Sequence, residues 1–428
     1  MNIILLIISL VIYGSFGLGN FVFVTFSILT CYWAARCFKT KWRRFSFVAT
    51  ISVNAVLLLI SKFWPYGLKL YPGLGAFSVF VSLGISYYSL QLIAYLVDVY
   101  RGKYEAETNF WHFALCIMYI PQLFIGPISR YDEIKSSIFK KRKISSDNIL
   151  SGLWRISLGL AKKLIIAGRI SLVIATITKD PNTYQGAYAL LAMLLYSLQL
   201  YSDFSGGIDV VLGVSKMLDI DLVENFNNPF SAQTIKEFWR RWHVSLSSWI
   251  RDYIYIPLGG SRCGEIRKAA NLLLAFIVSG LWHGLNYLWW GVWHGLFVLT
   301  NETLKTKFKI LNYLLTFLVV SILWAFFIWP DSATAIKMII SLFTNFNYPE
   351  LMGDILKLGL NLTEWSILSF FVVGVLFYDG KKEKWQQFWE KAQPEGRLAL
   401  IGSLVLVILV LGIYGIGFNV EGFIYGNF

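Results

Sequence analysis

The sequence predicts an all-α integral membrane protein whose apolar helices cross the bilayer many times. Of its 428 residues, 56% are hydrophobic and only 15% are charged, whereas soluble domains carry about 25% charged residues. Long apolar runs alternate with short basic joints, and many runs approach the roughly 20 residues that a membrane-crossing helix needs. Because these runs are continuously apolar, they lack the alternation that is typical of a membrane β-barrel.

The apolar runs predict roughly ten to twelve membrane segments, some of them re-entrant or lying in the interface. No stretch remains for a sizeable soluble domain, so we expect one membrane domain over residues 1–428. The first run has no basic region before it and no obvious cleavage site, and we expect it to be retained. The runs lie near residues 2–18, 21–35, 46–63, 74–98, 110–128, 150–178, 186–215, 269–300, 310–329, 333–346, 364–378 and 398–420.

The formal charge of +13 comes mainly from the joints between apolar runs. Residues 36–44, 140–143 and 381–397 are basic, and the positive-inside rule places such joints on the cytoplasmic side. No basic domain with interleaved stacking aromatics is visible, so we expect membrane lipid and no nucleic acid as a partner.

Several common types of catalytic and metal site lack their signatures. The four cysteines are scattered without metal-ligand spacing, so neither a metal site nor a disulfide framework is expected. The sequence contains no H-E-x-x-H, no G-x-S-x-G and no G-x-x-x-x-G-K-[ST] motif. The sequence therefore does not support a zinc protease, a serine hydrolase of that type or a P-loop pump.

One polar stretch, residues 222–268, interrupts the apolar pattern with arginine, tryptophan, serine and tyrosine. Two interpretations remain open for it. The stretch is either an interfacial anchor, or part of the lining of a cavity inside the membrane, where charged side chains find partners.

Two histidines lie in a repeated G-x-W-H-G pattern, at residues 280–284 and 291–295. On one continuous helix, His283 and His294 would share a face about 16 Å apart, too far to share a metal ion. We interpret His294 as a packing residue that hydrogen-bonds a neighbour. His283 is the candidate acid or base, because an ionisable residue at membrane depth is costly unless it functions.

Six further motifs together resemble the membrane-bound O-acyltransferase (MBOAT) superfamily. The bacterial alginate O-acetylation branch is the most similar, and the teichoic acid D-alanyl transfer protein is more distant. The matches extend from about residue 84 to residue 300, which predicts the catalytic core. They are G-I-S-Y-Y at 84–88, D-V-Y-R-G at 98–102, Y-S-D-F at 201–204, W-R-R-W-H-V-S-L-S at 239–247, W-I-R-D-Y at 249–253 and I-P-L-G-G at 256–260, followed by G-L-W-H-G at 280–284.

The resemblance implies a catalytic histidine at His283 and a second functional histidine at His243. It also implies a central tunnel that brings a cytosolic thioester to an acceptor outside a bacterial cell membrane. We expect acetyl-CoA or another acyl thioester as the donor substrate, with no tightly bound cofactor. The expected protein partner is a separate extracytoplasmic polysaccharide O-acetyltransferase.

The chemistry assigns further candidate residues. A neutral imidazole suits His283 as the general base that removes a hydroxyl proton, and the tetrahedral oxyanion needs donors from His243, Asn286, Tyr287 or backbone N–H groups. The cations Arg240, Arg241 and Arg251 suit either the phosphates of the donor or anionic lipid headgroups. The Tyr425 hydroxyl is a candidate acyl relay. The alternative is a packing role, which predicts that Tyr425→Phe leaves activity intact.

The leading hypothesis is O-acetylation of an exported cell-surface polysaccharide. The chemical alternative is D-alanyl transfer to teichoic acid from an acyl carrier protein. From another class, a transporter of protons or anionic solutes also uses buried histidine and arginine, although no repeat symmetry is visible in the runs.

Overall fold

The computed structural model describes residues 2–70, 84–123, 125–300, 306–329 and 331–414, and Tyr425 lies outside them. Within these ranges the chain forms helices and loops and no β-strand, which confirms the predicted all-α class. The helices of the first third are α1 (Asn2–Ser15), α2 (Leu18–Arg36), α3 (Arg43–Leu70), α4 (Ile85–Tyr100), α5 (Phe110–Met118), α6 (Ile120–Leu123) and α7 (Tyr131–Phe139).

The middle of the chain contains the longest helix and the polar segment. Its helices are α8 (Ser146–Ala161), α9 (Gly168–Lys179), α10 (Ala187–Met217), α11 (Ile235–Arg241), α12 (Val244–Ile250), α13 (Glu265–His283) and α14 (Leu288–Thr300). Two π-helical turns, Lys162–Ala167 and Arg251–Tyr255, continue α8 and α12.

The last third is again apolar, apart from one basic helix. Its helices are α15 (Lys309–Leu323), α16 (Ala325–Ile328), α17 (Ser332–Thr344), α18 (Tyr348–Asp354), α19 (Leu362–Gly380), α20 (Lys382–Lys391) and α21 (Pro394–Leu411).

Five helical stretches of the described chain are long and apolar enough to cross a membrane. Their outward side chains are apolar, and Phe370, for example, is 74% exposed, as expected for a surface that faces lipid rather than water. Other predicted runs are broken: residues 110–128 contain the short helices α5 and α6. The five stretches are Leu18–Lys39, Arg43–Trp64, Lys309–Ile328, Leu362–Gly380 and Pro394–Leu411.

Small residues allow α8 and α10 to pack closely in the centre of the bundle. A Cβ on Gly159 would lie 2.4 Å from the carbonyl oxygen of Gly206, and one on Gly213 would lie 2.6 Å from that of Gly152. Such close backbone approach is typical of helix pairs in membranes. This close pair forms the centre beside which the polar segment folds.

The basic joints meet at one end of the bundle. Arg397 of the third joint donates to Asp147 beside the second joint (2.7 Å), and Arg43 of the first joint donates to the carbonyl oxygen of Tyr100 (2.7 Å). The polar segment connects them, because Asp221 accepts from Lys140 (2.6 Å) and the carbonyl oxygen of Asp252 accepts from Arg101 (3.3 Å). We call this end the basic face.

Candidate active site

A cavity of about 550 Å³ extends from the basic face to the buried histidines His243 and His283. We call it the histidine cavity. Its lining residues Lys236, Arg240 and Arg251 are exposed and mark the mouth, whereas the two histidines are buried and mark the inner end. The polar segment 222–268 is therefore part of a cavity lining, in agreement with the second of its two interpretations.

His283 is the last residue of α13, in a cluster of aromatic rings. The helix ends there because Gly284 adopts a φ of 139°, a conformation that favours glycine. The centroid of the imidazole lies 4.7 Å from the ring of Trp282, 5.5 Å from that of Phe327 and 5.6 Å from that of Trp290. This apolar surrounding favours the neutral imidazole that a general base requires.

The premise of one continuous helix through both G-x-W-H-G copies is wrong. The chain turns at Gly284, so His283 ends α13 and His294 lies in the antiparallel helix α14. The glycines of the two copies make this hairpin close, since a Cβ on Gly291 would lie 2.4 Å from the carbonyl oxygen of Phe276. His294 does not line the histidine cavity; its Nδ1 accepts a hydrogen bond from Trp239 Nε1 (3.3 Å), as the packing interpretation expects.

His243 occupies a strained position at the start of α12. Its φ of 44° and ψ of 52° place it in the left-handed region, which costs about 1–3 kcal/mol for a non-glycine residue. Asn225 stabilises this turn, because its carbonyl oxygen accepts from the N–H of Val244 and its Oδ1 accepts from that of Ser245, both at 3.0 Å. Neither ring nitrogen of His243 has a hydrogen-bonding partner on another described residue.

The two histidines share Trp282 as a neighbour. The centroids of His243 and Trp282 lie 6.2 Å apart, and Phe204 contacts His243 from the other side at 4.8 Å. The structure therefore brings together the two histidines that the motifs singled out, although they lie 40 residues apart in the chain.

The three candidate arginines separate into two places. Arg240 and Arg251 line the histidine cavity, whereas Arg241 does not. The Arg241 side chain donates to Glu237 (2.7 Å) and to Ser231 (3.0 Å) and lines a different cavity. Arg240 and Arg241 are therefore separated although they are neighbours in the sequence, because consecutive residues of α11 point in different directions.

The other candidate residues have different positions. The Tyr287 ring lies 6.2 Å from that of His283 and stacks on Phe327 at 4.2 Å. Asn286 lies beside it in the 3₁₀ turn Leu285–Tyr287 and is half-buried. Neither residue lines the cavity itself.

Three residues near the histidines were missed in the sequence. Ser279 lies one helical turn before His283 and also lines the cavity, and Ser247 lies four residues after His243. The i, i+4 spacing that places them beside the histidines is visible in the sequence. The role of Asn225 carries no comparable signal, since it depends on a turn 18 residues away.

A second cavity of about 920 Å³ also opens near the basic face, and we call it the charged cavity. Arg155 binds Glu224 through both terminal nitrogens (2.6 and 2.7 Å) and Asp209 through Nε (3.0 Å). Lys162 donates to the other oxygen of Asp209 (2.9 Å), and Tyr201 donates to Asp379 (2.5 Å). These charges are already paired within the protein.

The comparisons with known proteins decide the family. A model of the membrane-bound O-acyltransferase family matches residues 107–343, a range that includes the whole lining of the histidine cavity. This chain belongs to the membrane-bound O-acyltransferase family.

Curated relatives of this MBOAT chain come from several bacteria. It is 34% identical to the "Probable alginate O-acetylase AlgI" of Pseudomonas syringae pv. tomato, over 71% of this chain and 61% of the relative. It is 32% identical to the "Peptidoglycan O-acetyltransferase" of Helicobacter pylori, over 60% of this chain and 56% of the relative. Similarity to the "Teichoic acid D-alanyltransferase" of Bacillus subtilis is lower, with 29% identity over 56% of this chain and 63% of the relative.

The alignments cover about three fifths of the length of these relatives. The resemblance noted in the sequence is confirmed at the level of the MBOAT family, including the greater distance of the D-alanyl transfer proteins. The family model covers only part of the lining of the charged cavity, since residues 378–390 of that lining lie outside the matched range.

Proposed function

We propose that this protein is an O-acyltransferase of a bacterial cytoplasmic membrane that moves an acetyl group from acetyl-CoA toward a cell-surface polysaccharide. The observation that carries the proposal is the position of His283 at the inner end of a cavity with cations at its mouth. A thioester with a long phosphorylated arm is the proposed donor: its phosphates would meet Arg240 and Arg251 at the mouth while its acyl end lies at the histidines.

In the proposed reaction, a hydroxyl of the acceptor attacks the thioester carbonyl carbon. His283 takes the hydroxyl proton as the new C–O bond forms. The tetrahedral oxyanion collapses, the C–S bond breaks, and the thiolate of the donor accepts the proton from His283. Atoms and charges balance without any further reactant.

His243 is proposed to act on the oxyanion. A neutral imidazole carries one N–H donor, and the ring of His243 lies against Trp282, next to His283 in the chain. Its strained backbone is consistent with this role, because strained residues cluster at functional sites. A preorganised donor of this kind stabilises the charge that develops in the transition state.

The direction of transfer follows from the basic face. Positive joints favour the cytoplasmic side, and the cavity mouth lies at that end of the bundle. The donor is therefore proposed to enter from the cytosol, and the acceptor from the opposite side. An extracytoplasmic polysaccharide O-acetyltransferase is the proposed partner that receives or delivers the acetyl group.

A direct assay tests the proposal. The purified protein in lipid nanodiscs is given [¹⁴C]acetyl-CoA and a mixture of cell-surface polysaccharide acceptors, and acetyl transfer to polymer or to a partner hydroxyl is counted. We expect transfer with the parental protein and none above background with His283→Ala. Equal transfer by the two proteins would exclude His283 as the base.

The second candidate function is D-alanyl transfer from a loaded acyl carrier protein, which the similarity to teichoic acid D-alanyltransferases favours. The same nanodisc preparation is therefore offered both donors in parallel. We expect preference for acetyl-CoA, in line with the higher identity to the O-acetylases. Preference for the carrier protein would replace acetylation by D-alanylation while keeping the role of His283.

A further inference from the structure

The π-helical turn Arg251–Tyr255 has two different sides. Arg251 and Tyr255 line the mouth of the histidine cavity. Asp252 and Tyr253 contact the N-terminal part of the chain, at Arg130 and Arg101. π-turns are frequent at functional sites. The contacts of Asp252 and Tyr253, on the side away from the cavity, are therefore in a position to hold the mouth residues in place.

The Asp252 carboxylate bridges two arginines with different surroundings. One oxygen accepts from Nη2 of Arg130 at 3.1 Å, and the other accepts from Nε of Arg251 at 2.7 Å. The Arg130 side chain is 9% exposed, whereas that of Arg251 is 61% exposed. Asp252 thus connects a buried arginine to an arginine at the cavity mouth.

Arg130 is a fixed anchor. Its backbone N–H donates to Glu133 at 2.9 Å in a capping box that starts α7. Its guanidinium lies 4.7 Å from the centroid of the Tyr253 ring, which packs against Trp249 at 5.1 Å. Trp249 in turn donates to the carbonyl oxygen of Leu90 (2.8 Å), so the anchor belongs to the packed interior.

The bridge determines which part of Arg251 is available to a ligand. Its Nε is used by Asp252, and its two terminal nitrogens make no hydrogen bond to another residue in the described part of the chain. A guanidinium held through Nε presents these two nitrogens together, in the planar geometry that matches the oxygens of a phosphate ester. A freely rotating arginine would lose side-chain entropy on binding, which a held one has already lost.

We propose that Asp252, anchored by Arg130, is a positioning residue that holds Arg251 to bind a phosphate of the acyl donor. This inference rests on the proposed function and adds the recognised group, a phosphate ester. Both CoA and the phosphopantetheine arm of a carrier protein supply such a phosphate. Pantetheine alone does not, which makes it the discriminating donor.

The test compares donors with and without phosphate. KM and kcat are measured with acetyl-CoA and with S-acetylpantetheine for the parental protein, Asp252→Asn and Arg251→Gln. For both variants we expect a KM for acetyl-CoA about tenfold higher, since hydrogen bonds to charged groups contribute that much. We expect kcat within about twofold of the parental value and unchanged kinetics with S-acetylpantetheine. Asp252→Asn combined with Arg251→Gln should raise KM no further, because the two residues act as one unit.

Asp221→Asn is the matched control. Asp221 also pairs with a cation at the basic face, Lys140 (2.6 Å), but lies on the charged cavity. This variant should leave KM for both donors unchanged. An equal KM increase for both donors in Asp252→Asn, or the same increase in Asp221→Asn, would overturn the positioning role.

Two further measurements test the role of Asp252 when a variant does not fold or acetyl transfer fails. If Asp252→Asn does not fold, Arg130→Gln replaces it, because glutamine removes the cation that pairs with Asp252. A donor-selective KM increase supports the proposal, and an equal increase for both donors contradicts it. Equilibrium binding of CoA itself is measured without turnover, and the loaded carrier protein is titrated in parallel. Weaker CoA binding in Asp252→Asn supports the bridge even if acetyl transfer fails, whereas a parental protein that binds neither donor would overturn both this inference and the proposed function.

Discussion

The two cavities open near the same basic face, and α11 contributes Arg240 to one and Arg241 to the other. The charged cavity is larger and contains more ionisable groups, yet its central charges are paired at 2.5–3.0 Å. In the histidine cavity, the buried His243 ring has no hydrogen-bonding partner on another described residue. Charges that are paired within the protein are already satisfied, whereas a buried polar group without a protein partner is available to a substrate. Charge density alone would therefore favour the charged cavity, whereas the proposed function places the reaction in the histidine cavity.

The largest effect that distinguishes the cavities is expected at His283. His283→Gln should lower kcat about 10⁴-fold, because general base catalysis is lost, while the protein still folds. His294→Gln is the matched control: it changes a histidine from the second G-x-W-H-G copy that lies outside the cavity, and we expect near-parental kcat. Rates of acetyl transfer from acetyl-CoA, measured in one nanodisc preparation for each variant, provide the readout. Comparable losses in the two variants would remove the distinction between the histidines.

The next effect is expected in the charged cavity and on stability. Asp209→Asn leaves Lys162 and Arg155 without their shared carboxylate, so the free energy of unfolding should fall by about 3–5 kcal/mol. Denaturant-induced unfolding in mixed micelles measures this loss, and kcat of the folded fraction should stay parental. The double variant Lys162→Met with Asp209→Leu should recover most of the stability, because the cation and the carboxylate of this pair are removed together. A catalytic defect in the folded Asp209→Asn protein would mean that the charged cavity also takes part in the reaction.

His243 should have a smaller effect than His283 on the same reaction. Removing one preorganised oxyanion donor costs about 10²-fold in kcat, so His243→Ala should fall between the parental protein and His283→Gln. KM for acetyl-CoA should hardly change, since the oxyanion exists only during the reaction. Asn225→Ala, which loses the hydrogen bond to the N–H of Ser245, should reproduce part of this defect by releasing the strained turn. A variant of His243 that changes only KM would assign this residue to donor binding instead.

The smallest effect separates two neighbouring arginines of α11. Arg240→Gln should raise KM for acetyl-CoA severalfold, because Arg240 lies at the mouth of the histidine cavity. Arg241→Gln should leave that KM unchanged, because its guanidinium is bound to Glu237 and Ser231. Initial rates at varied acetyl-CoA concentration distinguish the two outcomes. Equal KM values for Arg240→Gln and Arg241→Gln would indicate that acetyl-CoA binding does not depend on which cavity the arginine lines.

The sequence by itself determined the membrane class, the family and the two histidines. Continuous apolar runs exclude water as the main solvent whatever the packing, and the G-L-W-H-G and R-W-H-V-S-L motifs are local strings that identify His283 and His243 without a structure. The polar segment 222–268 was also visible as an exception to the apolar pattern. Its two interpretations remained open, because an interfacial anchor and a cavity lining have the same composition.

Only the tertiary structure decided which residues meet. The turn at Gly284 separates His283 from His294, although the spacing allowed one helix. The separation of Arg240 from Arg241, the support of His243 by Asn225 and the bridge from Arg130 through Asp252 to Arg251 all depend on contacts between distant parts of the chain. Periodicity reports the face of one helix, but the identity of the partner on that face depends on how helices pack, and packing is a property of the whole bundle.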